Sequence, residues 1–287
     1  MSQKRTIEIC ALNVAMHNPH SPQRYVDLFE AAYKSRTLIQ QGELHGLLLG
    51  SLYGTESWKK EKVINGEIYR FVKVDADEPW FNTQTLKQAT DKEVKAISIP
   101  AHLLAHLQRI PFVFSPDTHE LWFVARDRKN SLGPIPTERF MQKLLDVASA
   151  EMGFPTVVVT AMPDTDTLNA LLSMHRLQRL IIEVKRPNPD DGASAAARIM
   201  ARLEGMNAKK EISELVADEG ESLKPDEETR SRAEVASKNG NVTGIGKTEE
   251  GLPSRESTAE KPLRYFVKIN DAIETVFAIL ERRATPP

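Results

Sequence analysis

PFVFSPDTHELWFVAR, residues 111–126, decides how the rest of the chain is read. Two runs of aromatic and β-branched residues, too short for helices and suited to strands, flank Ser115-Pro116-Asp117-Thr118. Proline presets its own φ, and serine and aspartate bond nearby backbone, so the four residues form a turn and the segment a β-hairpin. A lone hairpin is marginal in water, so further strands must extend it. Residues 67–74 (EIYRFVKV) alternate with period two, as a half-buried strand does. Residues 6–16, 44–53, 157–159 and 180–184 supply more apolar strands.

Helices are interspersed with these strands. Ser21-Pro22 makes a helix start, cap then proline, and Tyr25, Leu28, Phe29, Ala32 and Tyr33 follow at helical spacing. Residues 137–152 place Phe140, Leu144, Val147 and Ala148 on one side, and Gly153 and Pro155 end that helix. A short helix is expected over 165–174 and a longer one over 190–216, opened by Asp190 and Asp191. Residues 75–99, with Trp80 and Phe81, form an irregular excursion. Intermixed elements of both kinds give an α+β fold: a mixed, mainly antiparallel sheet with flanking helices.

The C-terminal part is set apart by charge. Residues 211–230 hold eight acids against two bases, after 174–210 with eight bases against four acids. The acidic stretch around Pro225 is read as a connector, which divides the chain into a main domain (1–217), a connector (218–229) and a C-terminal unit (230–287). In that unit Asn239-Gly240 signals a hairpin between 232–236 and 242–247. A final helix presents Ile273, Val276, Phe277 and Leu280, and this small unit must dock on the main domain, the first expectation, or on a second copy or partner.

Composition bounds the function. Among 287 residues, 40% are hydrophobic and 27% charged, a balance that folds rather than stays disordered. The net charge of −2 excludes a generally basic coat, though not a local basic face. No apolar run is long enough to cross a membrane, and MSQKRTIEIC has no signal-peptide core. The single Cys10 cannot form an intrachain bridge, which fits a reducing, cytoplasmic setting.

Motifs for catalysis are weak. Gly244-Ile245-Gly246-Lys247-Thr248 is like the end of a phosphate-binding loop, but Asn241 stands where that loop needs glycine and Glu249 to Pro253 break the helix that should follow; a β-turn is the better reading. His102 and His106 are four apart, yet position 103 is leucine rather than the glutamate of a zinc protease. Pro163-Asp164 followed by Glu183-Val184-Lys185 matches a metal-dependent nuclease pattern, in which Asp164 and Glu183 would hold the metal and Lys185 assist the attacking water. The preferred reading is non-enzymatic, with no cofactor and no metal. Arg176, Arg179, Lys185, Arg186, Arg198 and Arg202 are its candidate phosphate contacts, which give affinity without reading sequence.

A family resemblance rests on His20-Ser21-Pro22-Gln23-Arg24-Tyr25, Gly66-Glu67-Ile68-Tyr69-Arg70-Phe71, Pro79-Trp80-Phe81, Phe112-Val113-Phe114 with Leu121-Trp122-Phe123, Arg186-Pro187-Asn188-Pro189-Asp190-Asp191, Asn239-Gly240-Asn241-Val242, and the run from Gly246 through Glu256-Ser257-Thr258 to Pro262. In motif order the chain resembles an uncharacterised bacterial family associated with phage defence and, more distantly, the RexA-like exclusion proteins of phage lambda. The resemblance implies a dimeric, non-enzymatic protein that binds double-stranded DNA with little sequence preference in phage exclusion or abortive infection. Besides the nuclease, the alternative is a purely protein-binding subunit of a defence complex.

Overall fold

The computed structural model describes residues 4–17, 21–74, 78–97, 100, 102–187, 195–270 and 274–285. In chain order the elements are β1 (Lys4–Met16), α1 (Pro22–Ser35), β2 (Ile39–Gln41), β3 (His45–Tyr53), α2 (Trp58–Glu61), β4 (Ile64–Val72), β5 (Phe81–Asn82), β6 (Lys87–Gln88), α3 (Asp91–Lys95), β7 (Ala105–Ser115), β8 (Glu120–Asp127), β9 (Asn130–Ser131) and α4 (Pro134–Met152). There follow β10 (Val157–Ala161), α5 (Thr165–Leu172), β11 (Arg176–Lys185), α6 (Ala195–Gly205), β12 (Lys210–Val216), α7 (Glu227–Lys238), β13 (Gly240–Lys247), β14 (Pro253–Ser257), a 3₁₀ turn (Thr258–Glu260), β15 (Tyr265–Asn270) and α8 (Val276–Ala284).

The expected hairpin is β7–β8, with Phe112 opposite Phe123 and Phe114 opposite Leu121. It lies inside a large antiparallel sheet of order β10-β1-β8-β7-β4-β3-β2. Its runs are apolar throughout because both faces are covered. Phe112, Phe114 and Phe123 meet Tyr25, Phe29, Phe140 and Leu144 of α1 and α4 on one face. Val113, Trp122 and Val124 meet Ile279 and Leu280 of α8 on the other. Phe29 stacks on Phe114 at 4.5 Å. Complete burial of side chains this size stabilises by about 1.5–3 kcal/mol each.

A second antiparallel sheet, order β12-β11-β13-β14, is built from the chain between β10 and β15. Leu180, Ile182, Val184 and Val242 bury one of its faces under α5, α6 and α7, through Leu171, Ile199, Leu203, Ala233 and Ala236. The chain then returns: Leu263 N–H donates to the Met162 carbonyl at 2.8 Å, and β15 pairs with the first half of β1. The two sheets also meet where Asn13 Nδ2 donates to Asn239 Oδ1 at 3.0 Å.

The α+β class with a mainly antiparallel sheet is what the structure has; several local expectations are corrected. The helix expected over 190–216 stops at Gly205, and Lys210–Val216 is a strand. Asn207 at φ 53° turns the chain there, so apolar residues that continue a helical period instead line a strand beside β11. Asn239-Gly240 is not a hairpin turn but the junction of α7 and β13; the C-terminal hairpin is β13–β14. The acidic stretch 218–229 holds the start of α7, and β12 and β13, on either side of it in sequence, both flank β11. His102 and His106 share no helix, since β7 begins at Ala105 and His106 has φ 58°. Tyr33 is exposed rather than buried. The excursion after β4 contains β5, β6 and α3. Gly244 and Gly246 lie within β13, followed by a turn in which Thr248 N–H reaches the Leu252 carbonyl. His20, Asn188, Pro189, Asp190, Asp191 and Ile273 lie outside the described residues.

Gly240 explains what the Asn-Gly signal was for. A Cβ there would stand 2.0 Å from the Glu183 carbonyl oxygen, a backbone atom that cannot step aside. Gly240→Ala is expected to lower unfolding free energy by about 3 kcal/mol, the upper range for overpacking. Gly205→Ala, with nothing within 4 Å of the added carbon, should be neutral or raise it by up to about 1 kcal/mol. Paired urea denaturation curves check both.

Candidate nucleic-acid interface

Strand alternation sorts the basic residues of β11 and β12. Leu180, Ile182 and Val184 face the helices, so Arg179, Ile181, Glu183 and Lys185 face away. Cross-strand partners share a face, which adds Lys210, Ile212, Glu214 and Val216 of β12. On the other side, β13 and β14 add Asn241, Thr243, Ile245, Lys247, Pro253, Arg255 and Ser257, and Lys247 pairs with Arg176. This open face therefore carries Arg176, Arg179, Lys185, Lys210, Lys247 and Arg255 against Glu183 and Glu214.

Some of that charge is internally paired. Arg179 meets Glu214 at 3.1 Å, and Lys210 meets Glu183 at 3.4 Å. Arg255 contacts Glu260 at 2.5 Å, and Arg176 donates to the Gly220 carbonyl at 2.6 Å. Among the described residues Lys185 and Lys247 form no ion pair. Such exposed pairs are weak, typically under about 1 kcal/mol, and exchange readily for phosphate.

The six residues nominated by sequence are not brought to one place. Arg176, Arg179 and Lys185 lie on the open face. Arg198 and Arg202 belong to α6, on the opposite side of the sheet, where Arg202 pairs with Glu211 at 3.5 Å. Arg186 follows β11 and donates from Nε to the Ala208 carbonyl at 2.9 Å. Sequence reading missed Lys210, Lys247 and Arg255; recognising β12 as a strand would have placed Lys210, whereas Lys247 and Arg255 reach this face only through the pairing of β13 and β14 with β11.

At its lower end the open face abuts the large sheet in a polar cleft of about 140 Å³, lined by Glu138, Thr160, Glu183, Lys185, Asn241 and Thr258 among others. Glu138 Oε2 accepts from Ala161 N–H at 2.8 Å and Gln142 Oε1 from Val159 N–H at 2.8 Å, so α4 closes the free edge of β10. Asn241 Oδ1 accepts from the Ser257 and Thr258 hydroxyls and from Ala259 N–H and is saturated. Glu183 and Lys185 thus share a cleft, but Asp164 is not among its lining residues. Asp164 caps α5, accepting from Asp166 N–H at 3.2 Å. No group of three or more His, Cys, Asp or Glu placed to hold a metal ion occurs among the described residues.

With the fold and this face in view, comparison places the chain. It belongs to the family described as a domain of unknown function, DUF4747, whose profile matches residues 5–285. No functionally curated protein matches it.

Two buried titratable groups bear on the chemistry. Burial, with help from Glu8 and against Arg264, pushes the Cys10 thiol up to about 12, so it is no nucleophile at neutral pH. Iodoacetamide at pH 8 should leave native protein unmodified and label it only after denaturation. His17, directly after β1, is held below its usual value by burial and then by Arg186, opposed by Glu204 and joined by Lys209. The unfolded chain therefore takes up a proton near the ordinary histidine value, about 6.5, before the folded chain does. Stability should fall as pH drops through that value, and His17→Asn should flatten this part of the curve in denaturation series at pH 7.5 and 5.5.

Proposed function

We propose that this chain is a non-enzymatic DNA-binding protein that holds duplex DNA with little sequence preference, and that it serves a bacterial antiphage system in the cytoplasm, as a homodimer or with a partner subunit. One observation carries the DNA reading: six cations against two carboxylates stand on the sheet face turned away from α5, α6 and α7, a face whose cleft end, with Thr243 and Ser257, is buried. Lysine and arginine at strand spacing meet phosphates without reaching base edges, which supports affinity without sequence preference. The overall charge of −2 restricts binding to that face. The defence setting rests on the motif-order resemblance alone.

A second reading, a protein-binding subunit, is favoured by the edge strand β12. Ile212 is 54% and Val216 61% exposed there, and an unpaired apolar edge can accept a partner's strand.

Mobility shifts on unrelated duplexes across a salt series test the DNA reading. Affinity should fall steeply and linearly in log salt. Lys185→Ala and Lys247→Ala should each reduce the slope by about 1 and weaken all sequences alike. No shift of any duplex at low salt, with folded protein, would end this reading and leave the protein-binding one.

A further inference from the structure

The arginines excluded from the open face form a site of their own. α6 and α7 enclose a groove of about 190 Å³ lined by Ala195, Arg198, Ile199, Arg202, Glu228, Ser231 and Arg232. Arg202 and Arg232 reach the same oxygen, Oε1 of Glu211 on β12. That shared carboxylate braces two guanidiniums side by side while neutralising only part of their charge. Arg198, one turn before Arg202, is exposed and forms no ion pair among the described residues. Arg232 Nε is buried and has no acceptor among the described residues. Three cations therefore converge on a groove whose lining, among the described residues, includes a single carboxylate, Glu228.

We propose that this groove binds the phosphate groups of a small phosphorylated molecule, of the diphosphate class, separately from any duplex on the open face. Guanidinium forks match phosphate oxygens two at a time, which a point-like ammonium does not. Bracing by Glu211 orders two of the three side chains before the ligand arrives, so less freedom is lost on binding. Ser231 adds a hydroxyl, and Ala195 and Ile199 give the apolar wall common in small-molecule sites. A duplex lying on the open face cannot reach this groove, because the sheet stands between them. The inference does not depend on the DNA reading.

The probe is inorganic pyrophosphate, titrated calorimetrically into the full chain at fixed ionic strength, with sodium sulfate as the control anion. Saturable binding at one site, tighter than sulfate, is expected. Arg198→Glu, at an exposed position, should weaken it about tenfold or more with an unchanged thermal midpoint, whereas Arg198→Lys should retain part of the affinity. Lys185→Ala with Lys247→Ala should leave it unaltered. Binding no tighter than sulfate, or an Arg198→Glu variant that binds as wild type, overturns the site. So does loss of duplex binding in Arg198→Glu together with displacement of pyrophosphate by duplex, because the phosphate would then be DNA's. Pyrophosphate binding without any duplex binding would uphold this site and sink the DNA reading.

Discussion

Pairing along both edges of β1 is the constraint on which the rest of the structure depends. One edge is taken by β8 and the other is shared, β15 covering its first half and β10 its second. Strands from the beginning, middle and end of the chain are thereby fixed in one register, and a slip of one residue would turn its buried side chains to the wrong layer. Because β10 and β15 both end on β1, the chain between them must leave and return at nearly one place. That place is the seam, where Leu263 bonds to Met162 and Asn13 to Asn239, and it sets the orientation of the second sheet.

The second sheet is asymmetric for a simple reason. Three helices lie between its strands in sequence or just before them, and all pack on one face, through Leu171, Ile199, Leu203, Ala233 and Ala236. The opposite face carries the six cations together with Ile181, Ile212 and Ile245. Charge that looks near neutral along the chain is thus separated in space: the cations at strand spacing collect on the open side, and those at helical spacing collect between α6 and α7. The basic stretch 174–210 is divided between these two surfaces, and Lys247 and Arg255 join the one while Arg232 joins the other.

Much of the fold was legible because the signals were local and strong. The hairpin at 111–126, the Ser21 cap and the Gly153 terminus, which stands at φ 69°, all act through their own backbone. What was misread depends on partners far along the chain. Residues 210–216 carry apolar residues at both helical and strand spacing, and pairing with β11 settles the matter. Gly240 is required by the Glu183 carbonyl 57 positions earlier, which no turn rule contains. The basic set was visible as composition, but its division between two faces needed the β12 strand, and with it came Lys210. Glu183 and Lys185, two residues apart on β11, share a face; that Glu138 rather than Asp164 lines the cleft beside them follows from how α4 packs on β10, a packing fact without a sequence signature.

The central claim is that the open face of the second sheet, and not its helical side, is where DNA lies. A photo-crosslinking residue placed at Ile212 on the open face, or at Ser231 beside the α6–α7 groove, reports this directly in the presence of random-sequence duplex. The account predicts cross-links from position 212 and none from position 231. Cross-links from 231 alone would contradict it.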